Sequence, residues 1–326
     1  MKLKLKFIFP LVAGLALSGC SFITITDANQ KEEDTTVITG SYYKGYDLTK
    51  TGGKLIKELQ RNCWEKHTKY IAYGQFNSYC AKTSDHGNIE ATEKGGNINQ
   101  LFYTGKEQSG TSYTTREHVW PCANSSGLWV HDGQSNDTPH NVDYGGSHTE
   151  KYVGGGSDLY HVRLANGTTN SVRGNTRFVS YTDAEHQAYA SGVTVQTDYN
   201  GKWALKVNTG QKTCEPANEM KGDVARIVLY VFLHYTDRGD TPEGTFTLDY
   251  APGRVYKYSD MVGSLSLVSI MGYDTEDRCK EVLSAWNKLD PPSTVEKERN
   301  NTVQKIQGNR NPFVDFPDLV DKMFGF

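Results

Sequence analysis

Two segments decide how this chain folds: Tyr113-Thr114-Thr115-Arg116-Glu117-His118-Val119-Trp120-Pro121, and Ser157-Asp158-Leu159-Tyr160-His161-Val162-Arg163-Leu164 running on through Gly167-Thr168-Thr169-Asn170-Ser171-Val172-Arg173-Gly174-Asn175. Both mix strand-forming residues with charge and imidazole. The first reads as a strand ending in Arg-Glu-His and stopped by Trp120-Pro121. The second reads as a strand over Asp158 to Leu164 that turns at Asn166-Gly167 into a short helix from Thr168. On that helix Asn170 and Arg173 are three apart and share a face. The local plan is therefore strand, loop, strand, short helix. Neighbouring strand residues point to opposite faces, so Glu117 and His118 can serve one site only at a strand end or a distorted turn.

Working outward, Leu55, Ile56, Leu59, Cys63, Trp64 and Ile71 have the spacing of one helical face and predict a helix over 54–71. Trp203 to Val207 reads as a strand. Val224, Ile227, Val228, Val231 and Phe232 predict a second core helix, and Cys279, Val282, Leu283 and Trp286 a third, stopped by Pro291-Pro292. A fourth is expected to begin at Ser293, with Glu296 reaching back to complete a capping box. The stretches 83–111 and 124–157 are rich in Gly, Asn, Thr and Ser and read as long loops of the kind that carry function. Helices flank short strands without a βαβ rhythm, and there is no internal repeat, so the fold class is α+β.

The chain has 326 residues with 37% hydrophobic, 11% aromatic and 22% charged, which supplies a sizeable core and excludes a wholly disordered protein. No apolar run reaches the roughly 20 residues of a membrane-spanning helix. Lys2, Lys4 and Lys6 precede an apolar stretch from Phe7 to Leu17 and then Ser18-Gly19-Cys20. That is the layout of a lipoprotein signal: residues 1–19 would be removed and Cys20 acylated, which places the chain on the outer side of a membrane with a lipid anchor. Losing the three lysines takes the formal charge from −3 to −6. Residues 20–45 are polar and without periodicity, a tether, and 46–326 form a single domain. An anionic partner would need a local basic surface on this mildly acidic body. Lys151, Arg163, Arg173 and Arg177 against Asp158 provide one. Cys63, Cys80, Cys122, Cys214 and Cys279 are an odd number without metal or redox spacing. At least one thiol must stay unpaired or pair between chains, and buried free thiols are an equal reading.

The run Arg116-Glu117-His118-Val119-Trp120-Pro121, with Asp158-Leu159 through Asn170, Arg173 and Asn175, resembles the endonuclease I family of secreted bacterial nucleases, in the His-Me finger or ββα-metal group. Further matches are Glu215-Pro216, Lys221 to Arg226, Glu298 to Asn301 and Ile306 to Phe313. Tyr160 and Leu164 depart from the family's usual His and Pro, and His161 stands where His or Asn is common. The resemblance implies a ββα-metal core with additional helices and long loops. It implies that Glu117 and Asn170 ligate one Mg2+, with Mn2+ or Ca2+ as substitutes, and that His118 is the general base. Hard oxygen ligands suit Mg2+, and an imidazole titrating near 6.5 can take a proton from water.

A water nucleophile leaves 5'-phosphate and 3'-hydroxyl ends and needs no 2'-hydroxyl, so DNA and RNA are both candidate substrates. Arg173 is expected to stabilise the scissile phosphate, and Arg116, Arg163, Asn175 and Arg226 to bind substrate. No obligate protein partner is evident. His67, His86, His131, His140, His148, His186 and His234 lack H-x-x-x-H spacing and are expected to be hydrogen-bonded or exposed. His131, Asp132, Asp137, His140, Asp143 and His148 sit in a Gly- and Asn-rich stretch that reads as a solvated loop. A lipid-anchored protein that binds nucleic acid without cutting it is the second reading. Gripping phosphate alone would favour Arg or Lys where Glu117, His118 and Asn170 stand.

Overall fold

The computed structural model describes residues 40–71, 73–81, 86–124, 154–248 and 251–326. Cys20, the signal and most of the tether lie outside these residues, as do Lys151 and the His131–His148 loop. The chain divides into two units at Tyr46/Asp47. The described part of the first is a helical turn, in which the Tyr46 N–H donates to the Tyr43 carbonyl at 3.1 Å. The second, 47–326, carries everything below.

In chain order its principal elements are helix α1 (Gly52–Lys66), strands β1 (Ile98–Gln100), β2 (Glu107–Ser109), β3 (Thr114–His118) and β4 (Val162–Asn166), and helix α2 (Gly167–Arg173). Then follow β5 (Arg177–Phe178), β6 (Thr194–Thr197), β7 (Trp203–Asn208), β8 (Thr213–Pro216) and helix α3 (Asn218–Tyr235). Strands β9 (Thr245–Leu248) and β10 (Ala251–Lys257) and helices α4 (Glu276–Leu289) and α5 (Thr294–Gln307) complete the set. Strands β1–β2, β3–β4 and β9–β10 are antiparallel pairs, and a four-stranded sheet runs β5-β8-β7-β6 with β5 parallel to β8. The mixture is α+β. No helix of the described residues is long and apolar enough to cross a membrane.

α1 buries Leu55, Leu59 and Cys63, four residues apart on one face, together with Trp64. It stops at Lys66, short of the expected Ile71, because the next residues are captured elsewhere. His67 leaves helical geometry, and the Thr68 and Lys69 N–H groups both donate to the Gln307 carbonyl, at 2.9 and 3.2 Å. α3 extends beyond the predicted core helix in both directions and is buried on nearly every side, Lys221 and Arg226 included. A helix enclosed in this way has no polar face to reveal it. At Gly222 a Cβ would lie 1.8 Å from the Asp290 carbonyl oxygen, so only glycine lets α3 meet the end of α4.

Thr275 caps α4 by accepting from the Arg278 N–H, and Ser293 caps α5 by accepting from the Glu296 N–H. The capping box is only half made. The Glu296 carboxylate turns instead to Arg226, accepting from Nε at 2.7 Å and Nη2 at 2.6 Å. One apolar core joins Leu55, Leu59, Trp120, Leu159, Val162, Val228 and Leu283. The stretch expected to be loop over 83–111 contains the β1–β2 pair. Cys63, Cys80, Cys122, Cys214 and Cys279 are all free thiols, and only Cys122 is not buried.

Candidate active site

β3 and β4 pair antiparallel with Thr114 opposite Asn166, Glu117 opposite Arg163 and His118 opposite Val162. The second strand begins at Val162, four residues after the expected Asp158. Asp158 lies in a turn because its carboxylate is held by side chains distant in sequence. Oδ2 accepts from the Tyr230 and Tyr235 hydroxyls at 2.8 and 2.6 Å, and Oδ1 accepts from Gln307 Nε2 at 3.1 Å and the Tyr160 N–H at 2.7 Å. β4 ends on Asn166, whose side chain accepts from the Thr168 and Thr169 N–H groups and starts α2. The hairpin-and-helix plan is thus realised, with α2 laid against β3.

Four residues singled out from the sequence meet around the end of β3. Asn170 Nδ2 donates to the Arg116 carbonyl at 3.3 Å and the Thr115 hydroxyl at 3.5 Å. Glu117 is 1% exposed, and its recorded contacts fall on Oε1: the Tyr103 hydroxyl donates at 2.8 Å, and Arg173 Nε stands 3.4 Å away without hydrogen-bond geometry. Burial pushes the Glu117 carboxyl up, opposed by Arg173 and Tyr103. Glu117 and Asn170 offer a carboxylate and an amide oxygen, hard donors of the kind that suit Mg2+.

His118 ends the strand and is partly buried. Its Nε2 lies 2.7 Å from the Gly156 carbonyl, and an atom that faces a carbonyl must carry the proton. In the neutral ring the basic lone pair is therefore on Nδ1. Burial lowers this imidazole to about 4, the Gly156 carbonyl opposing and Arg173 and Arg116 assisting, so the ring is neutral at pH 7. The Tyr73 ring stacks on it at 5.2 Å and 21°, and the Arg116 guanidinium lies 4.5 Å over the Tyr73 ring.

His161 explains why the Gly156 carbonyl is where it is. Its Nε2 accepts from the Trp120 N–H at 2.9 Å, and its Nδ1 donates to the Gly155 carbonyl at 2.7 Å. Two adjacent carbonyls of the 154–157 turn thus hold two imidazoles. The turn is entered through Gly154 at φ 113°, a conformation that L side chains rarely adopt. His161 is fully buried and lowered by burial to about 3.

Three arginines depart from their expected roles. Arg173 is 1% exposed and does not face solvent: Nη1 donates to the His118 and Gly174 carbonyls, and Nη2 to the Val119 carbonyl at 2.6 Å. Its guanidinium is thus engaged with the end of β3 and stands beside Glu117. Arg226 is fully buried, held by Glu296, the Asn287 side chain and the Asp290 carbonyl, which engages its donors within the core. Arg163 forms a bidentate pair with Glu90, which Arg299 shares. Arg116 is partly buried, with Nε donating to Asn77 at 3.1 Å, while Asn175 is exposed at the exit of α2. Tyr103 and Tyr73 were not foreseen. Neither stands in a patterned segment, and Tyr103 has the uncommon φ of 65°.

The other matching motifs build scaffold. Lys221 pairs with Glu215 at 2.8 Å, Asn309 donates to the Tyr230 hydroxyl, and Arg310 forms a bidentate pair with Asp315.

The sequence profile of the family described as Endonuclease I matches residues 47–318. An extracellular ribonuclease of Bacillus subtilis (strain 168) is 28% identical over 293 residues, covering 88% of this chain and 79% of that protein. An extracellular ribonuclease of Bacillus amyloliquefaciens is 28% identical over 295 residues, covering 88% and 78%.

Proposed function

This chain belongs to the endonuclease I family, and from that membership we propose that it is a metal-dependent, sugar-nonspecific endonuclease that hydrolyses DNA and RNA outside the cytoplasm, leaving 5'-phosphate ends. The observation that carries the reading is the His118 ring, neutral, with Nε2–H on the Gly156 carbonyl and its basic nitrogen turned to Nδ1, at the end of the strand that bears Glu117. A neutral imidazole has the lone pair that a general base needs. Mg2+, or Mn2+ or Ca2+ in its place, would be held by Glu117 and Asn170 and would supply charge neutralisation at the phosphate and the departing 3' oxygen. Tyr103 and Arg173 hold the Glu117 carboxylate in place, and Tyr73 and Gly156 hold the His118 ring. Exposed Asn175 and Arg177, with Arg116, are the polar groups offered to the nucleic-acid backbone.

Lys2, Lys4 and Lys6, the short apolar stretch and Cys20 support export with a lipid anchor at Cys20, facing the extracytoplasmic side, and release from the membrane would leave the same soluble domain. The two relatives named as extracellular ribonucleases support the location and RNA as one substrate. The test is cleavage of plasmid, single-stranded DNA and RNA by the purified chain, with and without EDTA, alongside His118→Ala. Mg2+-dependent phosphodiester scission of both DNA and RNA, with 3' ends that a polymerase extends, supports the reading. Binding without scission supports the non-catalytic alternative.

A further inference from the structure

Buried polar side chains in folded proteins almost always have partners. His67 and His234 do not. They are 5% and 0% exposed, and none of their four ring nitrogens has a hydrogen-bond partner. Their rings stand 5.3 Å apart, edge to face, and a ligand atom of each lies within 4.8 Å of the other and of an Asp158 carboxylate oxygen. Among the described residues this is the one group of three or more His, Cys, Asp or Glu side chains so placed. Asp158 is itself buried, and among the described residues no Lys or Arg forms an ion pair with it. Hydrogen bonds from Tyr230, Tyr235 and Gln307 orient the carboxylate without supplying positive charge.

We propose that His67, Asp158 and His234 form a second, structural metal site for a late first-row divalent cation, Zn2+ first among them. It lies apart from the Glu117 and Asn170 pair and does not depend on the nuclease reading. Two imidazole nitrogens and one carboxylate oxygen are the donors that suit Zn2+ and not Mg2+ or Ca2+. One ion answers both anomalies. It takes the lone pairs of two orphaned rings and supplies the missing counter-charge for Asp158, neither of which a buried water does in full. Donors on a tetrahedral Zn2+ stand about 3.3 Å apart, so binding would draw the three inward by about an ångström.

The Tyr230 and Tyr235 hydroxyls and the Gln307 amide that donate to Asp158 are the orienting groups expected around a metal carboxylate. The three ligands come from the end of α1, from the turn that follows Gly156, and from α3. The ion would therefore tie together the elements that fix the carbonyl gripping His118.

The test uses the full chain, purified, unfolded, refolded in Zn2+ and dialysed against EDTA, with bound metal measured by mass spectrometry. Stoichiometric zinc is expected in the wild type and in Glu117→Gln, and loss of it in His67→Gln and His234→Gln. Refolding in Co2+ should give the visible absorption of a low-coordinate cobalt centre in the wild type. A histidine variant that misfolds gives no readout, so the wild-type measurements decide alone. Wild-type protein with native circular dichroism and no bound zinc or cobalt overturns the proposal and assigns the cluster to buried water only.

Discussion

Replacing Arg173 with methionine separates two roles that the sequence cannot tell apart. Methionine keeps much of the volume and removes the charge. The change strips donors from the His118, Val119 and Gly174 carbonyls and leaves Glu117, 1% exposed, without its cation. Hydrogen bonds from a charged donor contribute about 1.5–3 kcal/mol each, and removing one partner of a buried ion pair costs about 3–5 kcal/mol; the two overlap, so about 4 kcal/mol is expected. At about 2–4 °C per kcal/mol for a domain of this class, the thermal midpoint should fall by about 8–16 °C. Burial already pushes the Glu117 carboxyl up, and losing the guanidinium that opposes this raises it further. The carboxylate is then protonated to higher pH, so half-saturation by Mg2+ should need more metal, increasingly so as pH falls. The assay is thermal unfolding by circular dichroism, followed by Mg2+ titration of oligonucleotide cleavage at several salt concentrations. A variant that melts within about 2 °C of wild type, while its KM rises and its salt dependence weakens, would refute the bracing role and restore the phosphate contact.

Other expectations can be measured separately. His118→Ala should lose about 10²–10⁴-fold in kcat while keeping its thermal midpoint, since the ring is a base and not a core group; a kcat close to wild type removes it from the mechanism. Gly222→Ala forces a Cβ to 1.8 Å from the Asp290 oxygen and should cost at least about 1–3 kcal/mol in urea unfolding. An unchanged midpoint would mean that α3 and the end of α4 are not in contact. His161 is lowered to about 3 when folded but titrates near 6.5 when unfolded, so the unfolded chain takes the proton first. Its contribution is complete above about 6.5 and is lost as pH falls towards 3, by about 2 kcal/mol between pH 7 and pH 5. The stability gap between wild type and His161→Gln should narrow by that amount, and a constant gap would show that the ring is not held neutral.

What could be read in advance was local. The strand ending at His118, the turn at Asn166-Gly167, the helix over Asn170 and Arg173, the apolar face of α4 and the start of α5 at Ser293 all depend on residues a few positions apart. What escaped depends on partners far along the chain. Arg163, Arg173 and Arg226 look like solvated cations in the sequence. Arg173 and Arg226 are buried and Arg163 is half-buried, each with an acid from another element, Glu117, Glu296 or Glu90, folded against it. Asp158 to His161 alternates like a strand yet turns, since Tyr230, Tyr235 and Gln307 take hold of the carboxylate. His67 and His234 carry no motif spacing, and only tertiary packing brings them together.

The hairpin that holds Glu117 and His118 joins strands separated by 43 residues. Closing a span of that length costs about 3 kcal/mol in chain entropy before any contact repays it. Much of the repayment comes from the far end of the polypeptide, where Arg299 donates to the Leu159 and Val162 carbonyls and Gln307 to Asp158. A ribosome delivers the proton-accepting ring long before it delivers these clamps. The hairpin therefore closes onto these contacts only once residues 299–307 have been made.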